Sequence, residues 1–208
     1  MLLSVKSFAG YNVDASDGPV GTVVDTGLDD EGWLIRGVVI DTRAWIRGRD
    51  VLVPVRAVRR LDTEHQKVTL AISRDTVDAS PSFEPAGSLT GVPPTAPSAR
   101  LRSAREVIGY HISARDETFG HLEDLLFDAE TWDIRYLLID TRNWWPGPPV
   151  LVGSSWVDYI DAGEKMLFID TPAERIKSCP PFDPHAPVSR GYEADLHRHY
   201  RRQEYWRE

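Results

Sequence analysis

Asp41-Thr42-Arg43 and Asp140-Thr141-Arg142, each followed two residues later by a tryptophan (Trp45 and Trp144), are where residue type and spacing could do chemistry. A carboxylate and a guanidinium this close can bind a polar ligand or work as a general acid–base pair. The same set has a structural use. Asp accepts backbone N–H groups at a strand end, while Arg pairs with a carboxylate or stacks on the neighbouring ring. Because the motif occurs twice with its tryptophan, the structural use is favoured.

Other chemistry is sparse. The six histidines show no metal-ligand spacing. His197 and His199 lie two apart in a segment that reads as helical and so point to different faces. His121 with Asp124 would need a third ligand from elsewhere. Carboxylate pairs such as Asp29-Asp30 and Glu123-Asp124 read as solvated residues, with no cleft to make them a hydrolase pair. Cys179, the only cysteine, sits among Pro180, Pro181, Asp183 and His185 and reads as an unreactive loop thiol that can form no intrachain disulfide. Phosphate-cradling glycine loops, nucleophile motifs and zinc-knuckle spacings are absent from the sequence. No catalytic, cofactor-binding or metal-ligating residue is therefore assigned, and an enzyme is not expected.

What must position the marked residues is an internal repeat. Residues 10–62 and 109–161 align at an offset of 99 without a gap. Gly10-Tyr11 returns as Gly109-Tyr110, Gly21 as Gly120, Asp25 as Asp124 and Trp33 as Trp132. Val51-Leu52-Val53 returns as Val150-Leu151-Val152. A period this long is a small domain used twice, not a solenoid unit. Each copy reads as short strands: Tyr11–Asp14, Val20–Thr26, an acidic turn, Trp33–Thr42, then Val51–Val55. One helical turn follows near Arg56–Leu61, and then a last strand at Lys67–Ile72. Pairing Lys67 with Lys165 implies that the second copy lacks one residue there, at an offset of 98. Strands this short, at this spacing, predict an all-β barrel of about 70–80 residues per copy.

Composition fits a globular chain: 41% hydrophobic and 27% charged residues over 208 positions, with a net charge of −8. An acidic balance makes nucleic acid an unfavoured partner. No apolar run is long enough for a signal peptide or a membrane span, and one cysteine suits a reducing compartment, so a cytoplasmic location without membrane insertion is expected.

The organisation that follows is a first barrel over 1–82 and a Pro/Ser-rich linker over 83–103. A second barrel spans 104–178, and a Pro-rich segment with an amphipathic helix covers 179–208. In the tail Tyr192, Leu196, His199 and Gln203 are spaced to share a helical face, widened by Tyr200, Tyr205 and Trp206. Such a face needs a groove on its own barrels or on a partner. Trp145 and Trp156 occur only in the second copy, Trp145 beside Pro146, Pro148 and Pro149. Unshared aromatics are the better interface candidates. The candidate interaction surface is therefore Trp145, Trp156, Tyr192, Tyr200 and Trp206, set against the repeated motif of Asp41, Arg43, Trp45, Asp140, Arg142 and Trp144.

The Gly-Tyr opening, the Asp-containing turn, Gly-x-Val/Leu before an acidic hairpin with Trp, and the strand ending Ile-Asp-Thr resemble the PRC-barrel domain. So does the continuation into Trp45, Gly48 and Val51-Leu52-Val53-Pro54. The arrangement is similar to bacterial proteins with two such barrels. The family includes the cytoplasmic domain of the photosynthetic reaction-centre H subunit and the C-terminal domain of the ribosome maturation factor RimM. The resemblance implies two tandem barrels. The duplication, the absence of a catalytic motif and the aromatics particular to the second copy and the tail lead to the expectation of a non-enzymatic adaptor that binds a protein partner of unknown identity. An H-subunit-like ligand or redox-cofactor module is the alternative, and a RimM-like RNA or ribosome-processing role the third. An open edge on so small a barrel also leaves room for a homodimer.

Overall fold

The computed structural model describes residues 1–43, 49–83, 101–142, 144, 147–184 and 186–207. The first half runs β1 (Leu2–Ser4), α1 (Val5–Phe8), β2 (Asn12–Ala15), β3 (Gly18–Asp29), β4 (Leu34–Asp41), β5 (Asp50–Pro54), β6 (Val58–Asp62), β7 (Lys67–Leu70) and α2 (Arg74–Asp78). The second half runs β8 (Arg102–Ser103), α3 (Ala104–Val107), β9 (His111–Ser113), β10 (Thr118–Asp128), β11 (Ile134–Asp140), β12 (Val150–Gly153), β13 (Val157–Asp161), β14 (Met166–Ile169), α4 (Ala173–Lys177) and α5 (Arg190–Tyr200).

Two local expectations are corrected. The helical turn near Arg56 is a single 3-10 turn, Val55–Ala57, and Val58–Asp62 is strand. The repeat also keeps its offset of 99 to the end: β7 begins at Lys67 and β14 at Met166, with Gln66 and Lys165 both at positive φ before them. Lys67 therefore does not correspond to Lys165. A one-residue slip would turn each strand over, and the true register keeps Val68 and Leu70 buried in one copy, Leu167 and Ile169 in the other.

Each half builds the same sheet, in the orders β5-β4-β3-β2-β7-β6 and β12-β11-β10-β9-β14-β13. Neighbours are antiparallel except β2–β7 and β9–β14. Strands predominate, as expected, but short helices accompany them and the hydrogen-bonded path does not close into a ring. In the first half the outer edge of β5 is taken instead by the chain after α2. Leu52 N donates to Pro81 O (2.9 Å) and Phe83 N to Asp50 O (2.9 Å), which covers an edge that would otherwise invite pairing. Among the described residues no helix is long and apolar enough to cross a membrane.

The chain divides into two compact units, but not at the repeat boundary. Unit 1 takes Met1, Leu3–Val107 and Phe127–Ile134, and unit 2 takes Leu2, Ile108–Leu126 and Arg135–Glu208. Of the linker expected over 83–103, residues 84–100 lie outside the described residues, while Leu101–Ser103 belong to unit 1. There β8 pairs with β3 (Ser103 opposite Gly27, Arg102 opposite Leu28), and Leu101 completes a cluster with Val39, Leu52 and Phe83. Buried Asp25 fixes the start of α3: it accepts the Ser103 hydroxyl and the Arg105 N–H (3.1 Å), and Arg102 pairs with Asp30. Burial pushes the Asp25 carboxyl above its ordinary value, and these donors oppose the shift.

The two hairpin tips also meet within unit 1. Ile134 N donates to Trp33 O (2.8 Å) and Ile35 N to Trp132 O (2.9 Å), while Trp132 stacks on Phe127 and meets the edge of Phe8.

Candidate functional site

At each copy's Asp-Thr-Arg the backbone sets the geometry. Gly21 and Gly120 have positive φ, and a Cβ there would lie 1.9 and 2.7 Å from the carbonyl oxygens of Asp41 and Asp140. Glycine is thus required to bring the long strand against the strand end. In the first copy Asp41 accepts from Arg43 N (2.8 Å), and the Arg43 guanidinium turns to Asp50 (3.1 Å). Thr42, fully buried, donates its hydroxyl to Arg49 O (2.8 Å). In the second copy Arg142 clasps Asp140 through its backbone N–H (2.9 Å), Nε (2.9 Å) and terminal nitrogen (2.6 Å). Those bonds hold the Asp140 carboxyl down at about 2. A carboxylate this acidic and a guanidinium that does not deprotonate cannot exchange protons near neutral pH, so the pair organises the turn. Trp45 lies outside the described residues.

The second copy adds what the first lacks. His121 and Glu123 stand where the first copy has Thr22 and Val24. Alternation along β10 puts both on the face that meets Asp140, with His121 Nε2 at 3.6 Å from Glu123 and 3.9 Å from Asp140. The Trp144 ring lies 6.4 Å from the imidazole. Donor atoms of the three fall within 4.8 Å of one another, a set able to hold a divalent cation. Arg142 already neutralises the most buried of them, so a metal would have to displace it. Sequence reasoning paired His121 with Asp124 instead. That residue points the other way, buried and accepting from Leu125 N (2.8 Å). Strand period alone could have chosen Glu123; the approach of Asp140 needed the fold.

The expected aromatic surface is distributed differently. Trp145 lies outside the described residues. Trp156 and Tyr200 are buried against each other, ring centroids 4.6 Å apart, and are not available to a partner while the tail is docked. Trp156 replaces Ala57 of the first copy, and Gly153 replaces Pro54. A Cβ at Gly153 would lie 2.6 Å from the indole, so the second copy opened a slot for this ring. Tyr192, half-buried, donates to Pro180 O (3.1 Å), its ring centroid 6.0 Å from that of Phe182. Trp206 lies half-buried beneath the Arg190 guanidinium (4.4 Å) and against His197.

The tail helix is capped by Ser189, which accepts from Tyr192 N (3.2 Å). Its buried face is Glu193, Leu196, His197 and Tyr200, not the expected Tyr192, Leu196, His199 and Gln203. Buried Glu193 accepts from Tyr136 (3.0 Å) and Tyr205 (2.6 Å) and pairs with Arg190 (3.1 Å). His197 Nδ1 donates to Gln203 O (2.7 Å), and its Nε2 lies 3.1 Å from the Tyr136 oxygen, whose single proton has Glu193 as its other acceptor. Sequence reasoning missed Glu193 and His197 because polar residues in an i, i+4 pair look like a solvated face until their partners are known.

A small antiparallel sheet joined through one parallel pair, with a glycine-kinked long strand, is the class of domain seen in both halves. Residues 100–176 match the family model of the PRC-barrel domain. No curated protein matches the chain.

Proposed function

We propose that the chain is a tandem PRC-barrel protein, its first half a second domain of the same family, acting as a non-enzymatic adaptor through the second copy's long loop. The identical strand order of the two sheets supports the tandem reading. One observation carries the adaptor: Trp144 is 40% exposed, whereas Trp33 and Trp156 are buried. In the sequence it stands beside Trp145 and Pro146 and shortly before Pro148 and Pro149, and prolines restrict a backbone so that less ordering is lost on binding. The non-enzymatic part is supported by two inert groups. The Asp140–Arg142 pair stays ionised, and burial pushes the Cys179 thiol up to about 11, far from a thiolate at neutral pH.

The Trp144→Ala variant tests this. An exposed ring can be removed with little loss of stability, within about 0.5 kcal/mol. The variant should melt as the parent does, yet lose at least ten-fold in affinity for a partner captured by the parent chain and then purified. Unchanged affinity with an unchanged melt would remove the loop from the interface.

A further inference from the structure

Unit 2 holds a cavity of about 320 Å³ whose walls include Arg115, Asp170, Arg175, Arg201 and Arg202, with Thr171 and Tyr200. Asp170 is the only carboxylate among them. It accepts from Arg115 (2.7 Å), and its carbonyl accepts from Arg202 (3.3 Å). Arg175 and Arg201 have no acidic partner among the described residues. Four guanidinium groups thus face one carboxylate in a chain whose net charge is −8. The first copy offers nothing equivalent: Ser16, Ala71 and Thr76 stand at the positions of Arg115, Asp170 and Arg175. The other two arginines belong to the tail, which has no counterpart. Their placement is specific. At the end of α5 Arg201 takes a left-handed conformation (φ 56°), where glycine is the unstrained choice, and Arg202 N donates back to His197 O (3.0 Å). His199 Nε2 donates to Arg175 O (2.7 Å) and ties that arginine's backbone to the same helix.

We propose that this cavity binds a phosphate group carried by a small soluble molecule. Guanidinium forks match phosphate oxygens in pairs, and three positive charges beyond the one that Asp170 balances favour a dianion over a carboxylate. Its volume falls at the lower end of small-molecule sites, about 300 Å³ upward. Because barrel and tail both supply arginines, occupancy would also hold the tail in place.

The test is a titration of the full chain with inorganic phosphate at pH 7, ionic strength held constant with sodium chloride, read by calorimetry and amide NMR. The expected result is saturable binding with shifts centred on residues 170–175 and 200–202. The double variant Arg175→Gln, Arg201→Gln, with an unchanged melting curve, should bind at least ten-fold more weakly. Arg60→Gln, a distant exposed arginine, should bind as the parent does. The proposal is overturned by non-saturable shifts, by equal weakening in Arg60→Gln, or by undiminished binding in the double variant. Co-sedimentation with phosphatidylglycerol vesicles in place of phosphate saturation would overturn it too. Should the double variant melt differently, Arg201→Gln alone, on an exposed helix end, gives the same comparison.

Discussion

Residues 100–208 produced without the first half should fail to fold as an autonomous domain, although they contain the entire segment matched to the PRC-barrel family. The reason lies in unit 1, which takes the opening of the second copy and its hairpin tip. Leu101, Ala104, Val107 and Phe127 are all buried, and Asp25, Leu52 and Phe8 of the first half touch members of these segments. Losing the burial of three large apolar side chains at about 1.5–3 kcal/mol each removes much of the roughly 5–15 kcal/mol that holds a domain folded. The Ser103 hydroxyl and Arg105 N–H would lose Asp25 as well. Circular dichroism and amide NMR of the fragment should show collapsed dispersion, and mixing with residues 1–99 should restore it. A cooperative melt and a dispersed spectrum from 100–208 alone would show that the repeat, and not the interleaved unit, is what folds.

This bears on how the repeat is to be interpreted. Asp25, Trp33 and Trp132 recur or are repeat-related, and their spacing in the sequence suggests that each copy needs them internally. Trp132 does lock its own hairpin by stacking on Phe127. The carbonyls of Trp33 and Trp132 nonetheless receive N–H groups from each other's strand, and Asp25 holds a helix that belongs to the other copy. Recurrence thus marks a junction as well as an architecture. No sequence pattern separates the two, because a pseudo-symmetric contact demands the same residue on both sides.

The strands themselves were legible, since alternation and the Gly-Tyr, Ile-Asp-Thr and Val-Leu-Val blocks fix type and order. Identity misled in one place: matching Lys67 to Lys165 overrode the alternation of Val68 and Leu70, which points to Leu167 and Ile169. In the candidate site, Asp140 and Arg142 were visible as a pair, but the addition of His121 and Glu123 required two strands to meet. The arginine cavity was invisible because its members lie up to 87 positions apart (Arg115 to Arg202) and converge only when the tail returns to the sheet.

Removing residues 189–208 should lower the melting temperature by about 10–20 °C, since about 5 kcal/mol of burial converts at roughly 2–4 °C per kcal/mol in a chain of this size. Leu196 and Tyr200 leave the interior, and Trp156 and Tyr136 lose the groups that cover and hydrogen-bond them. The tail's hold should also depend on pH through His197. Burial keeps its imidazole below the ordinary value of 6.5, so as pH falls the unfolded chain takes up the proton before the folded one does. The stability contributed by the neutral ring is therefore complete above pH 6.5 and is lost as pH falls toward the lower folded value. Protonation also makes Nε2 a donor toward the Tyr136 oxygen, which commits the single Tyr136 proton to Glu193. Hydrogen exchange of the α5 amides, corrected for intrinsic rates, should show protection falling between pH 7 and 5 in the parent. In His197→Gln, which keeps hydrogen-bonding groups without a titrating ring, protection should be lower at pH 7 and flat across that range. An unaltered pH profile in the variant would assign the dependence to another group and leave His197 as packing alone.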